Sequence, residues 1–256
     1  MAKKVLIVLD PGHYPKCNKG AATGYYEGDK MYTLSEYERD ELKAYGFDVI
    51  LTRERSKDME LYDRGQVAVK NGAGYDYVVF ISNHSNGFNG TAYGVVGFRS
   101  LHLPKSQELG EKLVNAVVDV MKPTTKVTYS RGCQTKKNGI GADYYGVIRG
   151  SVSGATSEAS AAKVPVTHSY IIEHGFHDHA VECAFLNVDA NLKKLAEAEA
   201  KVIADYFGFK KPVVDTSGKT IYRVQVGAFS VKANADNLLA QLKKAGFNGF
   251  ITTVKQ

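Results

Sequence analysis

Three apolar runs in this sequence each end on a residue able to bind a metal or move a proton. VLIVLD leads into DPGH with His13, VVFIS leads into NHSN with His84, and HSYII ends on Glu173. Open α/β sheets gather their ligands beyond the carboxyl ends of the strands, so two imidazoles and a carboxylate are expected at one rim. Glu27, fourteen residues past His13 and just before the first helical stretch, reaches that rim from its connection. Two histidines and one carboxylate around an open fourth position make a catalytic zinc set, in which the metal lowers the pKa of a water towards neutrality. A second carboxylate then acts as general base, passing the water's proton to a leaving nitrogen. On position alone, Glu27 and Glu173 are interchangeable in these two roles.

The competing cluster is EHGFHDH, with His174, His177 and His179 close together. Its spacing matches neither an HExxH helix nor the HxHxDH run of binuclear zinc hydrolases. An exposed loop with incidental histidines is expected there, a supporting role for one of them being the main exception. Cys17 lies near His13, but no GxSxG elbow, GxGxxG turn or GxxxxGK[ST] loop occurs, which argues against a nucleophilic triad and phosphate cradles. Cys17, Cys133 and Cys183 are widely spaced and form no CxxC pair, so free or buried thiols are expected.

The elements that must position these residues follow from hydrophobic periodicity. Val5 to Leu9 reads as a strand; Met31, Leu34, Leu42 and Tyr45 recur at helical spacing, and Gly46 stops that helix before FDVILTR. Further strands are expected at residues 77–82, 94–99, 144–149 (YYGVIR) and 168–173 (HSYIIE), with helices near 107–121 and 191–207. Continuously apolar strands separated by helices indicate an α/β fold, a mainly parallel twisted sheet of about six strands covered by helices on both faces. GSVSGATSEASAA, residues 150–162, looks too small and polar to pack and is expected to be a surface loop.

With 256 residues, 44% hydrophobic and 23% charged, the chain can bury a full core and is neither disordered nor fibrous. No apolar stretch approaches the roughly 18 residues of a membrane span, so no membrane insertion is expected. MAKKVLIVLDPGH is not expected to act as a signal peptide, because its apolar run is short and lacks a small-residue cleavage site. The net charge is +6, of which residues 212–256 carry +4; such a basic appendage favours an anionic surface, whether nucleic acid, acidic lipid or wall polymer. KKPVVDTSGKT marks a linker at 210–220. After it, YRVQV, VKANADNLLAQLKKAG and FNGFITTV read as a small strand-helix-strand module, thin for an independent core.

DPGH, Glu27, LTRERSKDMELYDRGQVAVKNG (51–72), SNHSNG (82–87) and IIEHGF (171–176) together resemble the zinc-dependent N-acetylmuramoyl-L-alanine amidases of the Amidase_3 family. The resemblance spans roughly residues 4 to 208 and implies hydrolysis of the amide between N-acetylmuramic acid and the L-alanine of the stem peptide. It also implies that His13, Glu27 and His84 hold Zn2+ and that Glu173 is the catalytic carboxylate. The chain departs from the family's pattern at Asn83, where a hydrophobic residue usually precedes the second histidine, and at His168, where a proline is usual. The tail is similar to one half of a SPOR-type peptidoglycan-binding module, which suggests a homodimer in which each chain donates a half.

The expected organisation is therefore a zinc amidase domain at 1–209, a linker at 210–220 and a peptidoglycan-binding half-module at 221–256. The expected partner is bacterial peptidoglycan, with no specific nucleic acid. A product made in the cytoplasm without a signal peptide fits a phage endolysin released through a holin, or an amidase freed by mother-cell lysis. Rival readings are a zinc peptidase cutting within the stem peptide and a non-catalytic wall-binding protein.

Overall fold

The computed structural model describes residues 3–211, 225–247 and 249–253. The chain divides into two compact units, Met1–Pro212 and Val213–Gln256. In the first, β1 (Val5–Pro11), α1 (Glu27–Tyr45), β2 (Asp48–Leu51), α2 (Leu61–Asn71), β3 (Tyr77–Asn86), β4 (Val95–Arg99) and α3 (Gln107–Thr125) are followed by β5 (Ser130–Gln134), α4 (Gly146–Ser151), α5 (Glu158–Ala161), β6 (His168–Phe176), α6 (Ala180–Leu186) and α7 (Asp189–Phe207). The six strands form one sheet in the order β2-β1-β3-β6-β4-β5. Every pairing is parallel except β4 with β6.

Both faces of the sheet are covered, which is why its central strands carry unbroken apolar runs. Ile7, Leu9, Val79, Ile81, Tyr170 and Ile172 join the larger core with residues of α1, α3 and α7. Leu6, Val8, Val78, Phe80 and Ile171 join the smaller one, with Ala68 of α2 and Val147 and Ile148 of α4. The strand period of two continues to the carboxyl ends. Asn83 and His174 meet α1 and α7 through Glu38 and Glu199, so their neighbours His84 and Glu173 turn the other way. In register, His84 lies directly beside Glu173.

Two expectations are corrected. YYGVIR does not form a strand: Tyr145 is the N-cap of α4, and Val147 and Ile148 are buried in the core beside α2. A six-residue apolar run has no period long enough to separate strand from helix. Residues 150–162 are not a bare loop, since Val152, Ala155 and Ala161 form a small buried cluster and Ser157 and Ser160 cap α5 reciprocally. Their small side chains let the backbone lie close to its neighbours. β5, SRGCQ, has no apolar run because it is an edge strand with four of five residues not buried.

In the second unit α8 (Lys232–Lys244) occupies the expected helix. The described residues of the flanking segments, 225–229 and 249–253, carry no strand. Tyr222 to Val224 and most of the expected linker, 212–220, lie outside the described residues. Val226, Phe229, Phe247 and Phe250 are exposed.

Candidate active site

Site construction begins with a strained turn after β1. His13 has φ 56, a left-handed backbone that costs a non-glycine residue of order 1–3 kcal/mol and persists only when its surroundings enforce it. Here two buried arginines do so. The Arg64 guanidinium donates to the carbonyls of Met59, Pro11 and His13 at 2.8, 2.9 and 2.7 Å and to the carboxylates of Asp10 and Asp58 at 3.3 and 2.8 Å. Arg53 donates to the Pro11 and Gly12 carbonyls. Asp10 is held in turn by the Thr52 and Ser82 hydroxyls, both at 2.6 Å. Gly12 has no room for a side chain, since a Cβ there would sit 2.6 Å from both the Asn83 carbonyl oxygen and the His84 ring. The turn is thus pressed against β3, bringing the rings of His13 and His84 to 4.8 Å.

A prediction follows from Arg64. Arg64→Lys keeps the charge but not the five-donor fork, so the His13 turn should loosen and affinity for added zinc should weaken about tenfold, the usual effect of losing a group that orients a metal ligand. Competitive chelation by a fluorescent zinc indicator reads that change.

Glu27 is the first residue of α1, where the helix N-terminus favours a carboxylate. Its Oε2 lies 3.2 Å from His13 Nε2 and its Oε1 lies 3.0 Å from His84 Nδ1. The Ser85 N–H donates to Oε1 at 2.9 Å and the Asn18 side-chain amide to Oε2 at 2.7 Å. Burial works against the charge on Glu27, but hydrogen bonds from His13 and His84 outweigh it and hold the carboxyl well below the usual range. Burial likewise works against a charged His84, and the Glu27 carboxylate overrides it, holding His84 up at about 9.

One nitrogen or oxygen from each of His13, Glu27 and His84 lies within 4.8 Å of the others. Two imidazoles and a carboxylate are a zinc-type donor set, and a cation bound there would displace the proton that His84 shares with Glu27. Glu173 shares their polar cleft of about 340 Å³ with Asn18, Ser85, Asn86, Gly87 and His177. Its Oε2 is buried without a hydrogen-bond partner among the described residues. Burial pushes its carboxyl up to about 7, against the opposing effect of His84. The residues present therefore fit a zinc ion with a carboxylate base beside it.

All four residues singled out in the sequence thus come together. The reading of EHGFHDH as an exposed loop is overturned: β6 runs through to Phe176, and His174 is fully buried, 3.1 Å from both oxygens of Glu199. His177 lines the cleft. Sequence reasoning also missed Asn18, Ser85, Arg53 and Arg64. The phase of α2 carries the one signal that could have found Arg64, because it sets this charge among the helix's buried positions with Gly65 and Ala68. All three cysteines are free.

The N-acetylmuramoyl-L-alanine amidase family model matches residues 7–205, and the SPOR domain model matches residues 179–253. Their overlap falls on α6 and α7, whose Leu186, Leu192 and Leu195 belong to the core of the first unit. The sporulation-specific N-acetylmuramoyl-L-alanine amidase of Bacillus subtilis (strain 168) is 28% identical over 96% of this chain and 84% of its own length. N-acetylmuramoyl-L-alanine amidase CwlM of Bacillus licheniformis is 26% identical over the same shares. Among solved structures, the catalytic domain of CwlV, an N-acetylmuramoyl-L-alanine amidase from Bacillus (Paenibacillus) polymyxa var. colistinus, shares the fold. Its TM-score is 0.59 at 23% identity, covering 81% of this chain and 99% of that one. The expectation of a cytoplasmic product released by a holin or by mother-cell lysis does not stand. The relatives matched are amidases of bacilli, one of them sporulation-specific.

Proposed function

The chain belongs to the N-acetylmuramoyl-L-alanine amidase family, peptidoglycan hydrolases that cut the amide between N-acetylmuramic acid and the L-alanine of the stem peptide, and from that premise we propose that His13, Glu27 and His84 hold a zinc ion and Glu173 moves the proton. The observation that carries this reading is the convergence of the three donor atoms within 4.8 Å in the same cleft as the partnerless Glu173 Oε2. Zinc, when bound, supplies Lewis acidity that lowers the pKa of a water and polarises a carbonyl oxygen. Ser85 N–H and Asn18 fix Glu27, and Arg64 fixes the His13 turn. Glu173 takes a proton from the water that attacks the lactyl carbonyl carbon. As the C–N bond breaks, the same carboxyl returns that proton to the leaving nitrogen, giving a lactyl carboxylate and a free L-alanine amine.

Residues 1–209 are assigned as the catalytic domain, 210–220 as its linker and 221–256 as the peptidoglycan-binding segment, in keeping with the SPOR match. The exposed Val226, Phe229, Phe247 and Phe250 favour a second copy of this segment as their cover, hence a homodimer. A monomeric mass well above micromolar concentration would overturn that assembly.

Mass spectrometry of the soluble products from purified peptidoglycan tests the activity. Intact stem peptides with a free L-alanine amine should be released, should disappear with a chelator and should return with zinc. Shortened peptides would mean a peptidase, and no release from zinc-loaded protein would mean a wall-binding protein.

A further inference from the structure

His177 takes no part in the reaction as derived above, yet it lines the same cleft as Glu27, His84 and Glu173. Its Nδ1 lies 2.9 Å from the Ser85 carbonyl oxygen and 3.7 Å from Glu27 Oε2. A carbonyl oxygen only accepts, so Nδ1 carries a hydrogen and Nε2 is the nitrogen left to the cleft. The ring is fixed: it stacks on Tyr25 at 6.3 Å and 18°, and the Tyr25 hydroxyl is itself tied to Ser85 Oγ at 2.7 Å. Among the described residues, Nε2 has no hydrogen-bond partner. What lies against it is Gly87, where a Cβ would come within 2.9 Å of Nε2. The glycine leaves this one nitrogen uncovered.

We infer that His177 is a substrate-positioning residue whose Nε2 accepts a hydrogen bond from the N–H of the amide being cut. This rests on the reading of the cleft as the amidase site. When the bond to be cut lies between the three zinc-holding residues and Glu173, its own N–H must enter the cleft that His177 lines, so a donor is present whenever substrate is bound. An immobile imidazole held through Nδ1 adds an acceptor at Nε2 for it without drawing on Glu173, whose carboxyl is needed for the proton. Such a contact exists in both bound substrate and transition state, so its loss appears in KM rather than in kcat.

The test uses the full chain loaded with zinc and a soluble muramyl-peptide. His177→Leu should raise KM about tenfold with kcat within about threefold, zinc content and Tm being those of the parent; one net hydrogen bond corresponds to that change. His177→Gln, which keeps an acceptor near the position of Nε2, should recover most of the KM. Gly87→Ala should reproduce the KM increase by covering Nε2 while leaving the imidazole in place, and the double variant should be no worse than either single one, because both remove the same contact. A substrate analogue with an ester oxygen in place of the scissile N–H should be cut with the same KM by parent and His177→Leu. Unchanged KM in His177→Leu, equal loss in Leu and Gln variants, loss of zinc, or a KM increase that persists on the ester would each overturn the inference. If the parent protein itself fails to cut the amide, it is the amidase reading that fails.

Discussion

Glu173→Gln is expected to bind zinc as the parent does and to lose turnover by about 10²–10⁴, the usual worth of a positioned acid-base group. The substitution keeps the volume and removes only the capacity to accept and return a proton. Glu173 sits beside His84 in register, but its buried Oε2 makes no hydrogen bond among the described residues, so no structural contact depends on its charge. Stability should therefore hold or rise slightly, since a carboxyl that burial pushes up to about 7 is replaced by a neutral amide. His84→Ala is expected to behave differently, losing both zinc and turnover, because it removes one of three donor groups and leaves Glu27 with one imidazole. Zinc content by atomic absorption, read alongside product release, separates the two variants. A Glu173→Gln protein that still turns over would remove the assigned proton path.

What the sequence disclosed about this site was the set of residues at strand ends. β1, β3 and β6 are buried on both faces, so their apolar runs are unbroken and their carboxyl ends stand out as the places where polarity begins. His13, His84 and Glu173 are found by that rule alone. The rule says nothing of what holds them. Arg64 is remote from His13 in sequence and comes to the turn only because α2 packs over β1; its one local mark is its place among the buried positions of α2 with Gly65 and Ala68. Glu199 is equally hidden, a carboxylate on the buried side of α7 in a helix with several exposed ones. The errors also have local causes. YYGVIR is short and apolar, so helix and strand fit it equally well. The Gly150–Ala162 segment reads as a loop because alanines, serines and a glycine can pack against a neighbouring backbone without the bulk that marks a core. Asn83, a departure from the usual hydrophobic residue, becomes intelligible only with Ser35 and Glu38 in view, to both of which its side-chain amide donates at 2.9 Å.

Glu199→Ala is expected to destabilise the protein by about 3–5 kcal/mol, the typical cost of stripping one partner from a buried ion pair. For a domain of this size that lowers Tm by about 6–20 °C. On the face of the sheet opposite the cleft, Glu38, His174 and Glu199 are all fully buried, one imidazole between two carboxyls. His174 Nδ1 donates to the His84 carbonyl at 3.1 Å and Nε2 to both oxygens of Glu199, so both nitrogens carry hydrogen and the ring is a cation. Burial opposes that charge, and Glu199 outweighs it, holding the pKa of His174 above its ordinary value. One cation balances one carboxylate, and the other carboxyl is left to be neutral. That one is Glu38, pushed up to about 8 by burial and then by Glu199. Its folded value exceeds its unfolded one, so the stability linked to its proton is complete below about pH 4.5 and is lost as pH rises through about 8. Glu38→Gln has no such proton to lose. Its stability relative to the parent should therefore grow between pH 5 and pH 8, while Glu199→Ala stays destabilised at both. Urea unfolding of the three proteins at those two pH values gives the differences directly, and a Glu38→Gln advantage that does not change with pH would mean that Glu38 is already ionised in the folded chain.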